Sequence, residues 1–328
     1  MTLRAGAATP APGPPKTGTW WGRITRVLTL AFFAAVAWFI VRYARTVEWA
    51  RVWEALIGTP GQVLAGAAAL TACSFALISC FDLLGRHYTG HQVPALKVFK
   101  VNFISYAFNL NLGAIVGGIA FRFRMYSQLG LDNGTIGRVM SLSMLTNWLG
   151  YLLLGGVAFL LWPLALPPEW NVQASELRWL GAVLVALALA YIALCMWSPR
   201  RSFMLRGHEL LLPPRRMVPL QLVMSCGNWM IMGAIIWLLL QGQAPYPAVL
   251  NVLLVAAMAG VITHVPAGLG VLEAVFIALL AHRVPEWQLI AALLGYRALY
   301  YIAPLMLATL LYLWFEARTT RPRPPRTP

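Results

Sequence analysis

Long apolar runs are the feature that most limits how this sequence can fold. Only 11% of the residues are charged and 60% are hydrophobic, whereas soluble proteins carry about 25% charged residues. A helix needs about 20 apolar residues to cross the hydrocarbon core of a bilayer. Six runs are long enough: 27–43, 62–84, 139–162, 178–197, 218–240 and 287–315. We therefore predict an all-α integral membrane protein.

The basic residues indicate how the chain lies in the membrane. The net charge is +15, and the most basic connections are 84–100 and 198–217. Lys and Arg concentrate in cytoplasmic loops, so we expect these loops and both tails inside the cell. The charge then orients the chain in an anionic membrane, and we expect no nucleic-acid partner. No small-residue cleavage site follows 27–43, which favours a retained first helix over a signal peptide.

Two further apolar stretches, 98–121 and 248–281, are interrupted by polar residues, Gly and Pro. With the basic loops inside, each stretch must enter and leave on one side, so we predict two re-entrant hairpins of opposite orientation. Corresponding positions are about 151 residues apart, which favours an inverted repeat of halves 27–166 and 178–315, although evenly spaced helices would give similar offsets. The expected membrane domain is 23–316, between a disordered tail (1–22) and a basic Pro-rich tail (317–328).

In transporters built from inverted repeats, broken segments at matching positions indicate the substrate site. The candidate substrate-binding residues are Asn109, Asn111, Gly117, Gly118, Arg122, Arg124, Asn147, His264, Pro266, Gly268, Gly270, Glu273 and Arg297. An ionisable side chain inside a membrane costs about 2.5–3.5 kcal/mol. Glu273 and Arg297 are therefore expected to pair or to face a polar cavity.

Each candidate also has a structural interpretation. Glu273 and Arg297 can form a purely structural pair, and the glycines can be small-residue helix contacts. Arg122 and Arg124 can be interfacial anchors that reach lipid phosphates. Asp82 lies one turn before Arg86, which favours an interfacial pair between them.

Signatures of metal and enzyme sites are missing from the sequence. His264 has no second ligand at metal-like spacing, and the four cysteines lie inside apolar segments. There is no phosphate-binding loop, no His-Glu-x-x-His and no Gly-x-Ser-x-Gly. We expect no cofactor and no catalytic residue.

The motif THVPAGLGVLEAVFIALL, followed by ALLGYRALYYIAPLMLA, resembles the lysylphosphatidylglycerol synthase transmembrane-region family. NLNLGAIVGGIAFRFRMYSQLGL resembles the first-half motif of its stand-alone, YbhN-like inner-membrane members. The resemblance implies a domain that moves aminoacylated phosphatidylglycerol between leaflets, while a soluble C-terminal domain makes that lipid. It also implies functional roles for the residues that match the family's second-half motif, which are Pro266, Gly268, Gly270, Glu273 and Arg297. The sequence ends at Pro328 with no such domain, so we do not expect synthase activity. The acid that many relatives carry in the first half is absent after Gly118, which argues against full symmetry of the site and against a cationic aminoacyl substrate.

The expected function is that of a flippase-like lipid transporter in the bacterial inner membrane, with membrane phospholipids as its partners. Arg122, Arg124 and Arg297 suit an anionic phosphate, because guanidinium groups bind phosphate oxygens bidentately. A second interpretation is a non-transporting accessory protein that scaffolds a lipid-synthesising or glycosyl-transferring enzyme. A third is a membrane-embedded enzyme with Glu273 as base. The oligomeric state stays open.

Overall fold

The computed structural model describes residues 45, 47–162, 174–199, 202–205, 208–263 and 265–319. The helices are α1 (Trp49–Ile57), α2 (Gly61–Ser79), α3 (Phe81–Thr89), α4 (Ala95–Leu112), α5 (Phe121–Gln128), α6 (Asn133–Leu161), α7 (Ala174–Trp197), α8 (Met217–Leu239), α9 (Tyr246–Thr263), α10 (Val271–Leu280), α11 (Glu286–Tyr296) and α12 (Ala303–Thr319). Two π-helical segments occur, at Ala114–Ala120 and Arg297–Ile302. The helical membrane class is confirmed. The predicted span 27–43, the tail 1–22, residues 320–328 and His264 lie outside the described residues.

One element departs from the all-α prediction. Strands β1 (Ser202–Leu205) and β2 (His208–Leu211) form an antiparallel hairpin in the basic connection, with Ser202 opposite Leu211. In the sequence, Arg206 and Gly207 stand between these two ranges. A two-residue connection with glycine is typical of a tight hairpin, and this signal was hidden by treating 198–217 only as a charged loop.

Six helices in the described residues are long and apolar enough to cross a membrane. They are Gly61–Thr89, Asn133–Leu161, Ser175–Trp197, Met217–Leu239, Tyr246–Thr263 and Glu286–Ala317. Five of them match predicted spans. The other, Tyr246–Thr263, is the first arm of the interrupted segment 248–281 and is long enough to cross by itself. The re-entrant path of that segment therefore stays a prediction.

Proline and aspartate residues fix where several helices begin. Pro60, Pro94 and Pro285 directly precede α2, α4 and α11. A helix start tolerates proline, since the missing N–H has no intrahelical acceptor there. At α6, the Asp132 carboxylate accepts a hydrogen bond from the amide of Thr135 at 2.9 Å. Such a cap stabilises the first turn.

Small residues allow the long helices to pack closely. Helix α6 packs against both α7 and α8, while α2 packs against α8. A Cβ on Gly150 would overlap Ser225 of α8, and Gly156 of α6 faces Gly181 of α7 with almost no space between the backbones. Packing through small residues is typical of membrane helices, whose association gains little from the hydrophobic effect.

The element lengths agree with a repeat of about 151 residues. Helices α4 and α9 both have 18 residues, and their first residues are Ala95 and Tyr246. Each is followed by a break and then by a short helix, α5 or α10. The two interrupted segments thus share an order of elements. Their relative orientation across the membrane stays a prediction.

Candidate functional site

The first break is a turn in which the chain folds back on α4. Gly113 follows α4 with φ +86°, a left-handed value that favours glycine. In the π-helical segment beyond it, a Cβ on Gly117 would overlap the backbone of Phe108, and one on Gly118 would meet the side chain of Asn109 at 2.9 Å. A continuous helix would separate residues 108 and 117 by about 13 Å. The predicted interruption at these glycines is therefore present.

The second break is a single 3₁₀ turn, Pro266–Gly268, between α9 and α10. Ala267, Gly268 and Gly270 have φ values of +56°, +54° and +76°. Left-handed values suit glycine but strain alanine. The turn therefore needs support from elsewhere in the chain at Ala267.

Arg297 supplies that support. Its Nε and Nη2 atoms donate to the two carboxylate oxygens of Glu273, the Nη2 bond measuring 3.0 Å. Its Nη1 atom donates to the Ala267 carbonyl at 3.1 Å, and Nη2 also donates to the Gly268 carbonyl at 3.0 Å. The guanidinium carbon lies 5.2 Å from the centre of the Tyr301 ring. The side chains of Arg297 and Glu273 are 11% and 18% exposed, so a bidentate, largely buried ion pair closes the turn.

The first interrupted segment reaches the same place. Asn111, near the end of α4, donates to the carbonyl of Tyr301 at 3.2 Å and to that of Ala107 at 2.9 Å. Helix α4 also packs against the 266–268 turn. The structure thus brings Asn111, Gly268, Glu273 and Arg297 to one region where both broken segments meet. We call this region the break cluster.

Three candidates make their contacts elsewhere. Arg122 is 8% exposed and contacts Asp82 and Asn102, so it is not an interfacial anchor. Arg124 is exposed and pairs with Glu316 at 2.6 Å. Asn147 lies within α6, where its carbonyl accepts bonds from Ser225 and Trp229 of α8.

The predicted Asp82–Arg86 pair is wrong. Asp82 is completely buried and accepts a hydrogen bond from Tyr126 at 2.7 Å. Arg86 donates instead to the carbonyl of Val93 at 2.7 Å. The acid faces the protein interior, while Arg86, near the end of α3, bonds the loop that follows.

A buried polar network beside the break cluster was missed from the sequence. The Ser74 hydroxyl donates to Asn228 at 2.7 Å and lies 2.8 Å from the Tyr300 hydroxyl, which is 3.3 Å from that of Tyr106. These contacts join α2, α4, α8 and the second π-helical segment. Polar residues inside apolar spans, such as Ser74 and Asn228, were the available signal, but the sequence does not say which of them meet.

A family assignment follows from comparison with known proteins. The model of the family described as lysylphosphatidylglycerol synthase TM region matches residues 26–308. The chain belongs to this family. The match spans both broken segments and every residue of the break cluster, so the resemblance inferred from the motifs is confirmed.

Similar proteins differ in how much of their length the chain covers. It is 45% identical over 304 residues to the inner membrane protein YbhN of Escherichia coli, covering 92% of this chain and 96% of that protein. It is 30% identical to the uncharacterized protein slr0712 of Synechocystis, covering 80% and 82%. A phosphatidylglycerol lysyltransferase of Staphylococcus haemolyticus is 25% identical, covering 72% of this chain but 27% of that protein.

Proposed function

We propose that this protein binds the polar headgroup of a membrane phospholipid at the break cluster and moves the lipid across the bacterial inner membrane. The observation that carries this proposal is the meeting of two helix ends at a turn clamped by Arg297. Helix α9 ends at Thr263 and α10 begins at Val271. Half-helix ends of this kind bind substrates and ions in transporters, because they present unpaired backbone groups and dipole charge.

The cluster offers hydrogen-bond donors to an anion. Four bonds from Arg297 go to Glu273, Ala267 and Gly268, and its remaining Nη1 hydrogen has no acceptor in the part of the chain that the structure describes. The first amides of α10 have no intrahelical acceptor, and such amides bind phosphate. Because Arg297 neutralises Glu273, a phosphate group does not meet an unpaired carboxylate.

The relatives support a phospholipid as the substrate class. YbhN is named as an inner membrane protein, and the staphylococcal relatives are named as phosphatidylglycerol lysyltransferases. The chain matches only 27% of the latter protein's length. We therefore propose that binding and movement of lipid, and not lysyl transfer, is the activity of the part that is shared.

Lipid movement in liposomes tests this function. Purified protein is reconstituted with phosphatidylglycerol carrying a headgroup-proximal label, and the label exposed on the outer leaflet is followed over time. We expect wild type and Arg124→Lys to move lipid, since Arg124 is exposed and outside the break cluster.

Arg297→Lys should slow the movement at least about tenfold, because an ammonium group cannot reproduce the bidentate fork. Failure of wild-type protein to move lipid, or equal rates for Arg297→Lys and Arg124→Lys, would contradict the proposed site. Movement only after addition of a co-purified enzyme would support the scaffold interpretation instead.

A further inference from the structure

A second buried charged cluster lies away from the break cluster, at the start of α3. Asp82 is 0% exposed. Its Oδ2 atom accepts the Tyr126 hydroxyl at 2.7 Å and lies 3.5 Å from Nε of Arg122. Its Oδ1 atom has no hydrogen-bond partner among the described residues. One oxygen of a fully buried carboxylate is thus left without a donor.

Arg122 compensates this carboxylate incompletely. Its Nη2 atom donates to Asn102, which in turn donates to the carbonyl of Ile78 at 2.7 Å. Its Nε atom is buried and, within the described chain, makes no hydrogen bond. Buried ion pairs offset the cost of desolvation only when geometry is good and the remaining donors and acceptors are bonded. Asp82 and Arg122 do not meet that condition, whereas Arg297 bonds both carboxylate oxygens of Glu273.

Few other charged groups face Asp82. Helices α2 and α8 contain no charged residue. The charged residues of the other neighbouring helices make contacts elsewhere. Arg86 of α3 donates to Val93, and Arg138 of α6 donates to Thr135. In α4, Lys100 lies over the ring of Trp314, and Lys97 is exposed. The Ser143 hydroxyl of α6 is a neutral hydrogen-bonding neighbour of the carboxyl group, although it makes no bond of normal geometry to Oδ1.

His91 provides a titratable group between this cluster and the loop. Its ring packs edge-on against Tyr126, with the ring centres 6.4 Å apart, and its Nε2 atom is buried without a partner among the residues described. Burial, with the nearby Arg86, lowers the pKa of His91, and Asp82 raises it to a lesser extent. The imidazole is therefore neutral near pH 7, and its Nδ1 atom accepts a hydrogen bond from the Val93 amide at 3.3 Å.

We propose that Asp82 is a proton-binding site that controls the contact between α3 and α5. A proton from solvent adds to Oδ1, the carboxylate oxygen that has no hydrogen-bond donor, so that one O–H bond forms and no other group of the cluster loses a proton. Arg122 keeps its own proton, so the net charge of the pair rises from zero to one. A lone buried guanidinium is unfavourable, and relief requires α5, which carries Arg122 and Tyr126, to move away from α3.

Direct detection of the carboxyl proton tests this site without any assay of lipid movement. Infrared difference spectra of the full chain in lipid nanodiscs are recorded as the pH is lowered from about 8 to about 5, a range accessible to buried carboxyl groups. We expect the C=O band of a neutral carboxylic acid to appear in wild type. It should persist in Glu54→Gln, since Glu54 is an exposed acid on α1, and be lost in Asp82→Asn.

Tyr126→Phe gives a second test if Asp82→Asn does not fold. Removing the hydroxyl takes a hydrogen bond from the charged form only, so the midpoint of the band should move to higher pH by about one unit. Any one of three results would overturn the assignment. Asp82 stays ionised over the whole pH range, the band survives Asp82→Asn, or the midpoint of the band is unchanged by Tyr126→Phe. Because Arg297 and Glu273 take no part, failure here leaves the proposed lipid site unaffected.

Discussion

Arg297 and Glu273 should contribute unequally to stability, although they form one ion pair. Replacing Glu273 by Gln removes one charge but leaves Arg297 bonded to the carbonyls of Ala267 and Gly268. Replacing Arg297 by Gln removes both carbonyl bonds as well and leaves Glu273 as a largely buried carboxylate. The structure therefore predicts that Arg297→Gln is the more damaging change.

The size of the difference follows from the bonds that each change removes. Breaking a buried pair costs about 3–5 kcal/mol, and the partial exposure of both side chains, 11% and 18%, favours the lower end. A hydrogen bond to a charged group contributes about 1.5–3 kcal/mol. We expect Glu273→Gln to lower the free energy of unfolding by about 3 kcal/mol and Arg297→Gln, which also removes two hydrogen bonds to carbonyls, to lower it by about 6 kcal/mol.

The double variant separates the pair from the clamp on the turn. It leaves no lone charge, so it should be more stable than Arg297→Gln, yet the carbonyls of Ala267 and Gly268 stay unbonded and it should be less stable than wild type. Unfolding free energies in mixed detergent micelles give all four values, with the exposed Arg283→Gln as a control expected within about 0.5 kcal/mol of wild type. Equal losses for the two single variants, or a double variant as stable as wild type, would refute the clamp.

Two further predictions concern the first break and the topology. Gly117→Ala should destabilise the protein by about 2 kcal/mol or more, because its Cβ would overlap the backbone of Phe108. Gly137→Ala should not, because there is open space around the new Cβ. Thermal unfolding of the two variants in detergent checks this, and equal melting temperatures would contradict it. A cysteine placed at Gln92 in the basic loop should react with an impermeant thiol reagent only after cells are opened. A cysteine placed at Gln243 should react in intact cells. The reverse pattern would overturn the inverted-repeat topology.

The parts of the site that the sequence predicted depend on short-range signals. Glycine and proline interrupt an apolar run wherever the backbone must leave a helix, so the breaks near Gly117 and Gly268 could be located. A pair between Glu273 and Arg297 was one of the two arrangements expected, because two ionisable side chains inside apolar segments must be compensated.

The Asp82–Arg122 contact was beyond the reach of the same signals. It depends on how α3 and α5, about 40 residues apart in the sequence, are placed side by side, and the residue pattern within either helix does not give that placement. Asp82 also had an alternative partner at helical spacing, Arg86, and the local rule favoured it. The partner of Asp82 is set by contacts between different helices, as is the partner of Ser74, Asn228.

The two breaks differ in what it takes to rearrange them. At the first, a Cβ on Gly117 would overlap the backbone of Phe108, so the two arms are in direct backbone contact and cannot slide past each other without first separating. At the second, one removable side chain, Arg297, holds the turn closed. Opening the first break therefore requires two backbones to separate, whereas opening the second requires only the hydrogen bonds of one side chain to break.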